Sequence, residues 1–257
     1  MQSGMVIDAV RIADSADMLD ADLHLPKAAR GLVIFAHGSG GSRFSTRNRQ
    51  VAESLNEGRF ATLLLDLLTR AEERVDVRTA EYRFDISLLA RRMVAATDWA
   101  SGHNLVGQLP IGYFGASTGA AAALIAAAER PAASAVVSRG GRPDLAGDAL
   151  PMIRTPTLLI VGGDDSPVIE LNEEAMRRMH APVELAIVPH ATHLFEEPGT
   201  LEECSGWRST GSRVTWDIDR YQESGVRYQH GRSTAICGQA RCGACARLRS
   251  CEVREPR

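Results

Sequence analysis

Six short apolar runs, separated by helical patterns, constrain this chain more than any other feature. They lie at residues 31–36 (GLVIFA), 59–66 (RFATLLLD), 110–114 (PIGYF), 132–138 (AASAVVS), 156–161 (PTLLIV) and 183–188 (VELAIV). Each is too short for a buried helix and too continuously apolar for a strand with one face in water. Strands covered on both faces read this way, and they belong to mostly parallel sheets. The intervening patterns supply the cover. Residues 45–58 place Val51, Ala52 and Leu55 on one stripe, and residues 84–99 do the same with Ile86, Leu89, Ala90, Met93 and Val94. Residues 118–130 are alanine-rich and suited to close packing, and 169–179 form an amphipathic stretch stopped by Pro182. The first 25 residues alternate as an antiparallel edge hairpin would. The expectation is an α/β domain with a mostly parallel central sheet and helices on both faces.

At 257 residues the chain is long enough for one such domain with a buried core. A formal charge of −3 gives no basis for nucleic-acid binding. No apolar run reaches the roughly 18 residues of a membrane span, and residues 1–11 lack a basic segment followed by an apolar one. A cytoplasmic location, with no membrane association, is therefore expected.

Charge and cysteine are unevenly distributed. All five cysteines (Cys204, Cys237, Cys242, Cys245, Cys251) follow position 203, and residues 204–257 hold ten Arg against five Asp or Glu. Strand–helix alternation stops there, so residues 1–203 are taken as the domain and 204–257 as an atypical, poorly ordered tail. The spacing Cys237-x4-Cys242-x2-Cys245 matches three ligands of an iron–sulfur loop, with zinc as the other metal reading. A shifted reading frame is favoured over both. The chain has 28 Arg and one Lys, as a GC-rich gene would give, and residues 206–212 (GWRSTGS) are encodable so that the next frame reads Val-Ala-Val-Asp-Trp-Phe. That string suits a closing amphipathic helix.

The chemistry is concentrated in four loops. Gly115-Ala116-Ser117-Thr118-Gly119 is G-x-S-x-G between a strand and a helix, a context that presents a serine on a tight turn. His37-Gly38-Ser39-Gly40 follows the first run. The backbone N–H groups of Ser39 and Thr118 are the candidate oxyanion donors. After the fifth run comes Gly162-Gly163-Asp164-Asp165, and after the sixth His190-Ala191-Thr192-His193. The order serine, acid, histidine is that of a hydrolytic triad, with either aspartate and either histidine open at this point. Only 17 residues separate Ser138 from Pro156, too few for a cap domain, so an open site is expected. Arg139 and Arg142 lie in that segment, as candidates either to hold a substrate anion or to pair with Asp144 or Asp148.

Longer stretches carry a family resemblance: HGSGGSRFSTRNRQVAESL, ATLLLDLLT, FDISLLARRM, PIGYFGASTGAAAAL, VVSRGGRPDLAG, PTLLIVGGDD and HATHLFEEPGTLEE. Residues 1 to about 203 resemble the dienelactone-hydrolase-related branch of the α/β hydrolases, in particular hydrolase domains found fused to phosphoribosyltransferases. The resemblance implies the α/β-hydrolase fold, Ser117 as nucleophile, His193 as base, and Asp165 over Asp164 as the acid. Dienelactone hydrolases proper carry cysteine at the nucleophile position, so Ser117 points away from their substrate. The expected activity is a serine esterase acting on a small ester, lactone or thioester, with no metal or organic cofactor. A phosphoribosyltransferase is a partner by family analogy alone. The alternative is a non-catalytic binding or regulatory module on the same fold.

Overall fold

A computed structural model of the chain describes residues 4–201 and three later strands. Six parallel strands form its centre: β3 (Leu32–Ala36), β4 (Ala61–Leu65), β5 (Ile111–Ala116), β6 (Ala135–Arg139), β7 (Thr157–Gly162) and β8 (Val183–Val188). They correspond to the six apolar runs. The hairpin β1 (Val6–Asp14) and β2 (Asp17–Leu25) extends the sheet antiparallel on β4. Later in the chain come β9 (Trp207–Thr210) and β10 (Arg213–Trp216), paired with each other, and β11 (Arg227–His230), antiparallel on β8. The sheet order is β1-β2-β4-β3-β5-β6-β7-β8-β11. The four cysteines from Cys237 onward, with the metal readings attached to them, lie outside the described residues, as does Cys204.

Each face of the sheet has its own core. On one, Val33, Phe35, Phe114, Val137, Leu158 and Ile160 meet Val51, Ala52 and Leu55 of α1 (Thr46–Glu57). On the other, Ile34, Leu63, Tyr113, Val136 and Leu159 lie in one cluster with residues of three helices. These are α3 (Ile86–Gly102), α4 (Thr118–Glu129) and α5 (Ser166–Arg178). Alternation of side chains along each strand divides the runs between the two faces. α4 is alanine-rich because it must approach the sheet closely: Ala120 to Ala123, Ala126 and Ala127 are fully buried.

Two elements were not legible as apolar patterns. α2 (Arg70–Thr79) buries only Asp76 and is defined by its capping box. The Thr69 side chain accepts from Glu72 N–H, and the Glu72 carboxylate accepts from Thr69 N–H at 2.8 Å. A 3-10 segment (Pro143–Met152) fills most of the short crossover between β6 and β7.

The strand order reverses at β3, whose neighbours are β4 and β5. In open α/β sheets such a switch point opens a crevice at the carboxyl ends of the strands. His37, Ser117, Gly140, Asp165 and His193 all follow the carboxyl ends of β3, β5, β6, β7 and β8.

Candidate active site

Ser117 stands between β5 and α4 with φ 50° and ψ −122°, a conformation a side-chain-bearing residue rarely adopts. Its backbone is fixed on both sides. Its N–H donates to Arg139 O at 3.3 Å, and its carbonyl accepts from Arg142 N–H and Ala120 N–H, each at 3.1 Å. The flanking glycines are required by contact: a Cβ on Gly115 would lie 2.4 Å from Ala120 Cα, and one on Gly119 2.4 Å from Ala36 O. The turn can therefore hold the serine up only because β3, β5 and α4 press together beneath it.

The loop after β3 is pinned just as tightly. A Cβ on Gly38 would sit 3.0 Å from Ser117 Cβ, so this turn touches the serine directly. His37 Nε2 accepts the Leu67 N–H at 3.0 Å, which leaves Nδ1 as the donor to Gly38 O at 2.8 Å. Burial is the largest influence on His37 and lowers its pKa; the Gly38 hydrogen bond and the charges of Asp66 and Glu73 oppose this only in part. The imidazole is thus held neutral, in one tautomer. Further along, Arg43 N–H donates to Asp66 Oδ1 at 2.6 Å and its guanidinium pairs with Asp66 Oδ2. The backbone N–H groups of Ser39 and Thr118 donate to no acceptor among the described residues.

His193 Nδ1 and Asp165 Oδ2 are 2.7 Å apart. The Asp165 side chain is 14% exposed and that of His193 39%. Gly140 makes room for the histidine: a Cβ there would lie 2.9 Å from His193 O. Asp164 is exposed and its backbone N–H bonds Ala191 O; His190 is exposed as well. Ser117 and His193 line one cleft of about 300 Å³ together with Ser39, Asn48, Arg139 and Leu194. No hydrogen bond joins Ser117 Oγ to His193 among the described residues, a looseness common in unliganded sites.

The two arginines separate. Arg139 is buried in the cleft wall, its guanidinium 5.9 Å from the Phe195 ring centroid. Arg142 is closed on Asp144 by two hydrogen bonds of 2.8 and 2.7 Å and is not in the wall. That pair raises the Arg142 pKa and makes it a structural cation.

Asn48 is the wall residue that motif reading passed over. It is 2% exposed, and its Oδ1 has no hydrogen-bond partner. The signal was present in the sequence. Positions 48, 51, 52 and 55 are i, i+3, i+4 and i+7 of α1, so an amide stands on an apolar stripe.

Fold and site together define an α/β hydrolase. The chain belongs to the dienelactone hydrolase family, which it matches over residues 19–211. It is 54% identical to a dienelactone hydrolase from Anabaena variabilis, covering 78% of this chain and 94% of that one, with a TM-score of 0.77. A putative phosphoribosyl transferase of Mycobacterium tuberculosis is 57% identical over 182 residues, 70% of this chain but 40% of that protein. Est1E from Butyrivibrio proteoclasticus shares the fold at 21% identity and a TM-score of 0.62, over 77% of this chain and 94% of its own. Among the described residues no helix is long and apolar enough to cross a membrane.

Proposed function

We propose that this protein is a serine hydrolase that cleaves a small ester, lactone or thioester through an acyl-enzyme. The observation that carries the reading is the 2.7 Å contact of Asp165 with His193, which lines the same cleft as Ser117 on its strained turn. His193 Nε2 takes the Ser117 proton as Oγ attacks the carbonyl carbon. The negative charge that forms on oxygen is met by the N–H groups of Ser39 and Thr118. Collapse breaks the bond to the leaving alcohol or thiol, which receives the proton from His193. Water then attacks the acyl-enzyme and gives a proton to His193, which returns it to Ser117 as the acid leaves. Asp165 holds the imidazole tautomer and stabilises the transient imidazolium.

Arg139, buried in the wall, is the substrate contact in this reading, and the absence of room for a cap leaves the cleft open to small substrates. A cytoplasmic location accords with the composition, and a phosphoribosyltransferase is proposed as a partner on the strength of the relative's name. The test is hydrolysis of ethyl acetate and related short esters. Ser117→Ala should lower kcat by about 10³-fold or more with an unchanged melting temperature. Equal turnover by that variant would dismiss the reading.

A further inference from the structure

Two cavities flank the loop after β3, and Gly38 to Gly41 line both. The cleft of about 300 Å³ holds Ser117, His193 and Arg139. The other, of about 60 Å³, lies on the α2 side and is walled by Leu68, Val77, Leu89 and Thr118. Its surface is mainly apolar, whereas that of the cleft is mainly polar. Leu89 of α3 is buried and Val77 of α2 is exposed, so the one forms the floor and the other the rim. Asp76 fixes this wall by accepting from Tyr82 N–H at 2.8 Å, Arg83 N–H at 2.9 Å and Arg83 Nε at 2.7 Å. The small cavity therefore stands open before any ligand enters. Three carboxylates also line it. Asp66 is paired with Arg43 and Asp76 with Arg83, but Glu73 is exposed and forms no hydrogen bond or ion pair among the described residues. At about 10–15 Å³ for each water-sized group, 60 Å³ holds roughly four to six methylenes.

We propose that this small cavity is the acyl pocket of the hydrolase and selects a short acyl chain without negative charge. This rests on Ser117 being the nucleophile and names the acyl side of its substrate. The stereochemistry of attack assigns the two cavities. Once Ser117 Oγ has bonded to the carbonyl carbon, the oxyanion faces the Ser39 and Thr118 N–H groups. The leaving oxygen must face His193, which protonates it. The remaining substituent, the acyl chain, points away from His193. Ser39 and Thr118, the residues of both candidate donors, line the small cavity, and His193 does not. The alcohol is left to the polar cleft, beside Arg47 and Arg139. An anionic acyl group would meet Glu73 instead.

The experiment compares kcat/KM of the full chain on p-nitrophenyl acetate, butyrate, hexanoate and octanoate. The value should rise by up to about fourfold for each methylene as far as hexanoate, then rise no further. p-Nitrophenyl hydrogen succinate should be slower than the uncharged pentanoate. Val77→Trp, at an exposed helix position, should bring hexanoate to within about twofold of acetate while the ratio of butyl to ethyl acetate stays as in wild type. Leu89→Ala deepens the floor and should make octanoate faster than hexanoate; it serves if the tryptophan turns to solvent. A flat series, a rise that continues to octanoate in wild type, a preference for the succinate, or a profile unchanged by both substitutions would each overturn the pocket. Labelling of Ser117 by a neutral fluorophosphonate tests the reaction separately. In Ser117→Ala, saturation-transfer NMR should still show the butyryl protons of ethyl butyrate in contact with the protein, and Val77→Trp should remove that signal. The pocket is therefore judged even if the chemistry fails.

Discussion

Replacing His37 by phenylalanine tests whether the loop after β3 is held in place for catalysis or merely packed. The imidazole accepts from Leu67 N–H at 3.0 Å and donates to Gly38 O at 2.8 Å. Gly38 O keeps a second partner, Gly41 N–H at 3.0 Å, but Leu67 is fully buried and its N–H would be orphaned. One unsatisfied buried donor costs about 1–3 kcal/mol. For a domain of about 200 residues that lowers the melting temperature by roughly 2–12 °C. Catalysis should suffer independently. If the turn relaxes and Ser39 N–H leaves the developing oxyanion, kcat falls by up to about 10²–10³-fold. His37→Gln, which offers both an acceptor and a donor, should recover part of both losses. The same residue sets a pH dependence. Its pKa is lowered in the fold, and the unfolded chain takes up a proton near the ordinary value of about 6.5. The unfolded state therefore binds more protons below that pH, so stability falls as pH drops through about 6.5 toward the depressed folded value and is flat in this term above it. Thermal unfolding of wild type, His37→Phe and His37→Gln between pH 5 and 8, with kcat on ethyl acetate, gives every quantity needed. A His37→Phe protein that melts earlier but retains wild-type kcat would refute the coupling of this histidine to the oxyanion donors.

Other consequences are as direct. Asp165→Asn should cost about 10⁴-fold in kcat because His193 loses its orienting acceptor, whereas Asp164→Asn, on an exposed carboxylate, should cost less than about threefold; steady-state kinetics of the two variants decide it. Arg92 is fully buried and donates to the Glu72 carboxylate at 2.7 and 2.8 Å, to Leu67 O at 2.7 Å and to Asp14 at 3.4 Å. Arg92→Met strands those acceptors and should destabilise the fold by about 3–5 kcal/mol in urea titrations. Gly119→Ala should give little folded protein by circular dichroism, since the added methyl would meet Ala36 O and His37 O at 2.4 Å.

The parallel sheet was legible because burial on both faces writes itself as unbroken apolar runs, and all six central strands fall within one to three residues of them. α2 was not, because RAEERVDVRT has no apolar stripe to read; its Thr69 and Glu72 capping pair was the available sign. Loop order placed the serine, acid and histidine together, yet spacing alone left Asp164 and Asp165 equal. The choice is tertiary: the turn directs Asp165 toward His193 and Asp164 toward solvent. Arg142 illustrates the opposite limit, since its partner Asp144 was visible in sequence as one of two equal alternatives. Asn48 escaped notice because an amide among arginines reads as helix surface until the stripe it shares with Val51, Ala52 and Leu55 is traced.

The central claim is that Ser117 is an activated nucleophile, and covalent labelling tests it most directly. The full chain is treated with a small neutral fluorophosphonate, and the adduct is located by peptide mass spectrometry. One stoichiometric adduct on Ser117 is expected, absent in Ser117→Ala and slowed by about 10³-fold or more in His193→Ala. No adduct on folded protein, or an adduct that persists in Ser117→Ala, would contradict it.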